Sequence, residues 1–262
     1  MNSILLKLSV SYIFNYKKDK AFSISTILSS LALILGISIL ITVMSVMNGF
    51  REELVSSLSG INGDITIHNA KDNDILTLKR KYPDLVYVKN IQDRVITTNS
   101  NSIEGLLMKS IHQSDIYKIP KVNDNLFEVK SSGENWVYIG VELARALDVQ
   151  VGDNFQISIP DTKMTILGPV LNTHQLYVKG VFNSGIYDYD KYFIYSNIDN
   201  FLSLDSPVIY ELYYDINKIN FDDLNNLYFE TWENQNQSLA QALATEKNVM
   251  FMILFFIVII SS

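Results

Sequence analysis

The sequence contains no cysteine. That excludes disulfides and thiolate metal sites, and it suits an export compartment without requiring one. Histidine is scarce, with only His68, His112 and His174. The three lie far apart, each beside an expected strand, and a lone surface histidine is commoner than convergence on a metal. No G-x-x-x-x-G-K-[ST] run occurs, so ATP binding by a P-loop is excluded, and neither G-x-S-x-G nor H-E-x-x-H is found. The acidic pairs Glu52-Glu53 and Asp222-Asp223 are chain neighbours whose side chains point apart, which suits solvated faces rather than acid–base work. Glu142 and Asp153 bracket an expected helix and fit capping and turn roles. These absences leave no catalytic constellation, and no metal or cofactor site is expected in this chain. There is no internal repeat and no low-complexity run.

Charge is missing altogether from Ala21 to Phe50, thirty residues without Asp, Glu, Lys, Arg or His. A helix rises about 1.5 Å per residue, so about 20 residues cross a hydrocarbon core about 30 Å thick. Thirty residues cross it with tilt or with one end clear of the lipid. The run is about twice the length of a signal-peptide core and no small-x-small cleavage site follows it, so it reads as a transmembrane helix. Ser25, Ser29, Ala32 and Gly36 recur at i, i+4, i+7 and i+11. They form a small-residue stripe that would let another helix approach closely, unless serine and alanine are merely tolerated there.

The net charge of -7 is unevenly spread. Residues 1–20 hold Lys7, Lys17, Lys18 and Lys20 against Asp19, and the balance leaves -10 on residues 51–247. Lysines flanking the apolar run place the N-terminal side in the cytoplasm and the acidic middle across the membrane. An acidic middle with no basic patch argues against nucleic acid and against adhesion to anionic lipid.

Along the chain, residues 3–16 read as an interfacial helix, with Leu5, Leu8, Tyr12 and Tyr16 on one face. The first membrane helix should run on through Arg51–Leu58 and stop at Gly60, Asn62 and Gly63. Strands are expected at 65–67, 86–88, 94–97, 103–108, 136–139, 155–159, 175–182, 192–195 and 210–215. Helices are expected at 76–82, 141–147, 198–204 and 221–227, with an irregular loop over 118–135. Mixed strands and short helices without strict alternation indicate an α+β domain. From Ser238 a helix runs into the wholly apolar Val249–Ile260. Twelve residues cover only about 18 Å, so the sequence is expected to stop inside a second transmembrane helix of a longer protein, the alternative being a short tail that dips into the interface.

Between the strands 155–159 and 175–182 lies Pro160–His174, far longer than a hairpin needs. It carries Lys163, Met164, Ile166, Leu167, Pro169, Val170 and Leu171. Either these apolar side chains fold back onto the domain's own core, or a partner covers them. Pro169 would stiffen the segment and lower the entropy lost on docking.

Several stretches resemble one family. Val43-Met44-Ser45-Val46-Met47-Asn48-Gly49-Phe50-Arg51-Glu52-Glu53-Leu54, at the outer end of the first helix, is similar to the permeases of the lipoprotein-releasing ABC transporter (the LolC/LolE family). So are Ile139 to Leu147 closed by Val151-Gly152-Asp153, the segment Gly185 to Asp190, and Trp232-Glu233-Asn234-Gln235-Asn236 followed by Glu246 to Phe251. The resemblance implies a bacterial inner-membrane protein, multi-pass when complete, with an extracytoplasmic domain of the MacB/FtsX type. It implies a cytoplasmic ATPase, a second permease subunit, a soluble periplasmic carrier and lipoprotein substrates. It also implies that the segment from Lys163 to Leu171 is the carrier-recruiting hook, although Thr173 and His174 stand where the family has a basic residue. The organisation expected is then 1–20 at the cytoplasmic interface, 21–50 as the first transmembrane helix, 51–245 as the periplasmic domain and 246–262 as the start of the second helix. A membrane-anchored binding or sensor module, or a related permease of cell division or efflux, is the alternative.

Overall fold

The computed structural model describes residues 4, 20–99, 102–128, 133, 135–165, 168–198 and 207–261. The interfacial helix read over residues 3–16 lies outside them except for Ile4, as does most of the helix read over 198–204. The chain divides into two compact units, one comprising Met1–Glu53 with Ser238–Ser262 and the other Leu54–Gln237.

Among the described residues the first unit contains two long helices. Helix α1 spans Lys20–Asn62, and its charge-free part exposes Leu28, Leu31, Ile34, Leu35 and Ile39. Apolar side chains facing outward along a helix of this length have hydrocarbon as their natural solvent. The last helix, Gln237–Ser261, likewise exposes Phe251, Met252, Phe255 and Phe256. Both are long and apolar enough to cross a membrane.

The second unit is a ten-stranded sheet with short helices. Its elements in order are β1 (Ile65–His68), α2 (Asp72–Lys81), β2 (Val86–Asn99), β3 (Ser102–Ile111), α3 (Pro120–Asn123), β4 (Leu126–Glu128), β5 (Trp136–Gly140), α4 (Val141–Leu147), β6 (Asn154–Thr165), β7 (Gly168–Phe182), α5 (Tyr187–Tyr192), β8 (Phe193–Asn197), β9 (Val208–Tyr213), β10 (Tyr228–Thr231) and α6 (Trp232–Gln235); the last helix is α7. The spatial order is β10-β1-β9-β2-β3-β8-β5-β7-β4, and β6 pairs with both β7 and β2. That double pairing closes β2, β3, β8, β5, β7 and β6 into a ring, sealed where Ile96 meets Ser158 and Thr97 meets Ile157.

Each strand of the ring sends alternate residues to one core, as a two-residue period requires. Val95, Leu106, Met108, Ile194, Val137, Ile139, Val178, Leu176, Phe155 and Ile157 are all buried together. Helix α4 adds Leu143, Ala144 and Leu147. Each fully buried side chain of this kind contributes roughly 1.5–3 kcal/mol relative to exposure. α4 ends at Asp148 in the left-handed region, φ 52°, where aspartate is tolerated better than most residues. The outer face of the sheet carries Val88, Ile111, Trp136, Tyr138, Phe182 and Tyr195, covered by Ile116, Ile119 and Val122. A third cluster packs β1 and β9 against α2 through Ile65, Ile67, Leu212, Ile75 and Leu78.

The structure corrects the sequence reading at several elements. The expected strands at 86–88 and 94–97 are one strand, β2, which pairs with β9 over its first half and β3 over its second. The segment read as an irregular loop, 118–135, contains α3 and β4. The helix read over 221–227 is a 3-10 turn at Phe221–Leu224, and β10 follows it.

Candidate functional site: a projecting hairpin and a buried charge pair

Strands β6 and β7 pair in antiparallel register from Asn154↔Tyr177 to Thr165↔Gly168. Their root is fixed in the ring. Phe155, Ile157, Leu176 and Val178 are buried, Thr97 Oγ1 donates to Gln156 O at 2.8 Å, and Ser158 Oγ and Thr173 Oγ1 lie 3.2 Å apart. Pairing of β6 with β2 stops at Ser158, and pairing of β7 with β5 begins only at Tyr177. Among the described residues, the two strands from Ile159 outward therefore have only each other as ladder partners. At about 3.3 Å per residue the ribbon extends roughly 20 Å beyond the sheet. Its register shifts between Pro160 and Met164, where residues 161–163 of β6 oppose residue 170 alone. A bulge of this kind bends a ribbon and increases its twist.

The segment named from the sequence is thus an extension of two sheet strands. Lys163 and Met164 belong to β6, and Pro169, Val170 and Leu171 to β7. Ile166 and Leu167 fall outside the described residues. Of the histidines, His68 is on β1 with Nε2 3.6 Å from Glu230 Oε2, His112 follows β3 and His174 lies on β7. Among the described residues no group of three or more His, Asp or Glu side chains converges as a metal site.

The membrane-helix residues named from the sequence divide differently. Ser25, Ser29 and Ala32 are exposed. Gly36 is half-buried, and a Cβ built on it would meet nothing within 4 Å. Gly36 lines an apolar groove of about 440 Å³ with Ile39, Leu40, Val43 and Met47 of α1 and Met250, Ile253 and Ile257 of α7. Glu246 stands at the same groove and also, with Asn48 and Arg51, lines a smaller neighbouring cavity.

Sequence reasoning missed a buried charge pair. Lys109 of β3 and Glu211 of β9 are 1% and 2% exposed, with Nζ 2.7 Å from Oε1. The ammonium also donates to Asn62 Oδ1 at 2.7 Å and lies 5.3 Å from the centre of the Phe193 ring. Asn62 Nδ2 donates to Tyr189 Oη. Tyr213 Oη lies 3.0 Å from Ile61 O and 3.2 Å from Glu211 Oε2. Burial, with Glu211 beside it, raises the Tyr213 phenol well above its ordinary range, which keeps it a donor. The pair borders a half-open cavity of about 220 Å³ together with Thr66, Gln92 and His68. The partners are 102 residues apart in the chain, and Lys109 alternates with buried neighbours on a strand, so no local sequence signal distinguishes it from a solvent-facing lysine.

Two helices long and apolar enough to cross a bilayer, joined through a domain with its own closed core, have the build of a membrane protein with a large extramembrane domain. The profile of the MacB-like periplasmic core domain matches residues 26–242, and the chain belongs to that family. The lipoprotein-releasing system transmembrane protein LolC of Neisseria meningitidis serogroup B is 26% identical over 290 residues, covering 100% of this chain and 69% of the relative. LolC of Buchnera aphidicola subsp. Schizaphis graminum is 28% identical over 276 residues, covering 96% and 66%. The chain spans about two thirds of the length of these curated relatives. The extracellular domain of the noncanonic ABC-type transporter YknZ from Gram-positive bacteria aligns with a TM-score of 0.37 at 12% identity over 59% of this chain and 86% of that one. The resemblance to LolC/LolE-type permeases holds over the whole sequence, and the chain is an ABC transporter permease subunit with a periplasmic domain.

Proposed function

We propose that this permease subunit takes part in releasing acylated lipoproteins from the bacterial inner membrane and passing them to a soluble periplasmic carrier. The observation that carries the proposal is the likeness to LolC along the entire chain. α1 and α7 cross the inner membrane as part of a multi-pass protein, and residues 54–237 stand in the periplasm. ATP is hydrolysed by a separate cytoplasmic subunit, in keeping with the missing P-loop. This chain then contributes by mechanical coupling and carries out no covalent step of its own. A second permease subunit packs against the open stripe of Ser25, Ser29, Ala32 and Gly36. The apolar groove between α1 and α7 has the chemistry to accept hydrocarbon.

The β6–β7 ribbon recruits the carrier through Lys163, Met164, Ile166, Leu167, Pro169, Val170 and Leu171. A two-stranded ribbon is at best marginally stable alone, so a partner strand or surface is its natural completion. Replacing Lys163–Leu171 with a short Gly-Ser linker should leave the domain folded, because the ring closes at Ser158. It should also abolish co-purification of the carrier. A folded variant that still retains the carrier contradicts the hook assignment, and an unfolded variant shows that the segment belongs to the core.

A further inference from the structure

The buried pair Lys109–Glu211 has no evident value for stability alone. Removing two charges from water costs several kcal/mol per ion, and apolar side chains of similar volume often serve as well or better. Buried charges are best attested where they fix one arrangement among several that apolar packing would allow. The arrangement at stake here is visible in what else the pair touches. Lys109 Nζ donates to the side chain of Asn62, the last residue of α1, and the single Tyr213 hydroxyl proton lies within reach of both the Ile61 carbonyl and Glu211. A cation at a helix C-terminus also complements the helix dipole.

The apolar part of the same contact is non-directional. Leu58 and Ile61 are buried, but hydrophobic burial depends on area and tolerates rotation or sliding. Asn62 differs, because its two amide atoms are claimed by different elements. Its oxygen accepts from Lys109 on β3 and its nitrogen donates to Tyr189 on α5. Turning the helix by one residue, about 100°, would break both bonds and leave the Lys109–Glu211 pair without its third member. Directly after Asn62 the chain turns off at Gly63, φ +79°, where a Cβ would come 2.9 Å from Leu212 O. The helix cannot be extended past this point to relieve a misfit.

We propose that Lys109, Glu211 and Asn62 form a positioning network that sets the rotational register of the last turn of α1 on the periplasmic domain. The register fixes which side of that turn faces β3, β9 and α5. Its use, transmission of helix movement to the domain, rests on the permease reading; the register itself stands on the geometry.

The test is a distance measurement on the whole chain in detergent, with no partner or substrate present. The absence of native cysteine allows spin labels at Ser56→Cys on the exposed side of α1 and Arg80→Cys on α2. A second labelled pair, Arg80→Cys with Ala146→Cys on α4, reports on the domain alone. The native network should give one narrow Ser56–Arg80 distance. Lys109→Met with Glu211→Leu should lose that single distance, broadening or splitting it, while the Arg80–Ala146 distance is retained. An unchanged Ser56–Arg80 distribution overturns the proposal. If the double variant also loses the reference distance, Asn62→Leu decides, since it leaves the ion pair in place. Broadening confined to Ser56–Arg80 upholds the register role, and an unchanged distribution overturns it. Because transport plays no part in the readout, failure here leaves the permease reading intact, and failure of lipoprotein release leaves the register intact.

Discussion

Gly140 shows how closely single residues are constrained. It ends β5 and precedes α4 with an ordinary extended backbone, φ -75°, so left-handed geometry is not the reason for glycine. The reason is contact, since a Cβ would fall 2.1 Å from Asp190 O and 2.4 Å from its Cα. Asp190 cannot retreat easily, because its buried carboxylate accepts from Ser184 N at 2.8 Å and from Ser184 Oγ at 2.7 Å. Burial holds that carboxyl above the ordinary aspartate range. Gly140→Ala should therefore destabilise the domain by about 1–3 kcal/mol, the usual cost of overpacking. Gly105→Ala, whose Cβ has open space, should cost far less. Thermal unfolding of both variants checks this, and equal midpoints would contradict it.

Among the elements, those with a complete local signal were legible in the sequence. Helix 141–147 matched residue for residue, because Leu143, Ala144 and Leu147 share a face and a turn follows at once. The end of α1 was also legible, marked by Asn62 and Gly63. β2 was misread because Lys89, Asn90, Gln92 and Asp93 interrupt its apolar pattern. The structure buries Asn90 and pairs every one of these positions, so ladder bonds carry the strand where side-chain pattern fails. α3 and β4 are four and three residues long, too short to show any period. The Lys109–Glu211 pair was invisible for a further reason, that its meaning lies in a contact between distant strands. The small-residue stripe is legible as a spacing, and among the described residues a Cβ on Gly36 would meet nothing within 4 Å. If the stripe serves a second permease subunit, Gly36→Leu should weaken association of the subunits more than Ile37→Leu. Co-purification of tagged subunits measures this, and equal recovery of the two variants would remove the packing claim.

At the scale of the whole molecule, topology comes first. By the positive-inside rule, lysines before α1 and a surplus of acid after it should orient the chain with residue 1 inside and Leu54–Gln237 outside. Single cysteines at Asn2 and at Asn73, exposed on α2, report the two sides. An impermeant thiol reagent on intact spheroplasts should label Asn73→Cys and spare Asn2→Cys, and the reverse pattern would invert the topology. The role proposed for the chain is that of a permease subunit that passes cargo outward to a soluble carrier. The most direct measurement of that role is the distribution of lipoproteins between the two membranes in cells depleted of this protein. The account predicts that lipoproteins bound for the outer membrane accumulate in the inner membrane, and that the native protein, but not the variant lacking Lys163–Leu171, restores their release. Normal distribution in depleted cells would contradict it.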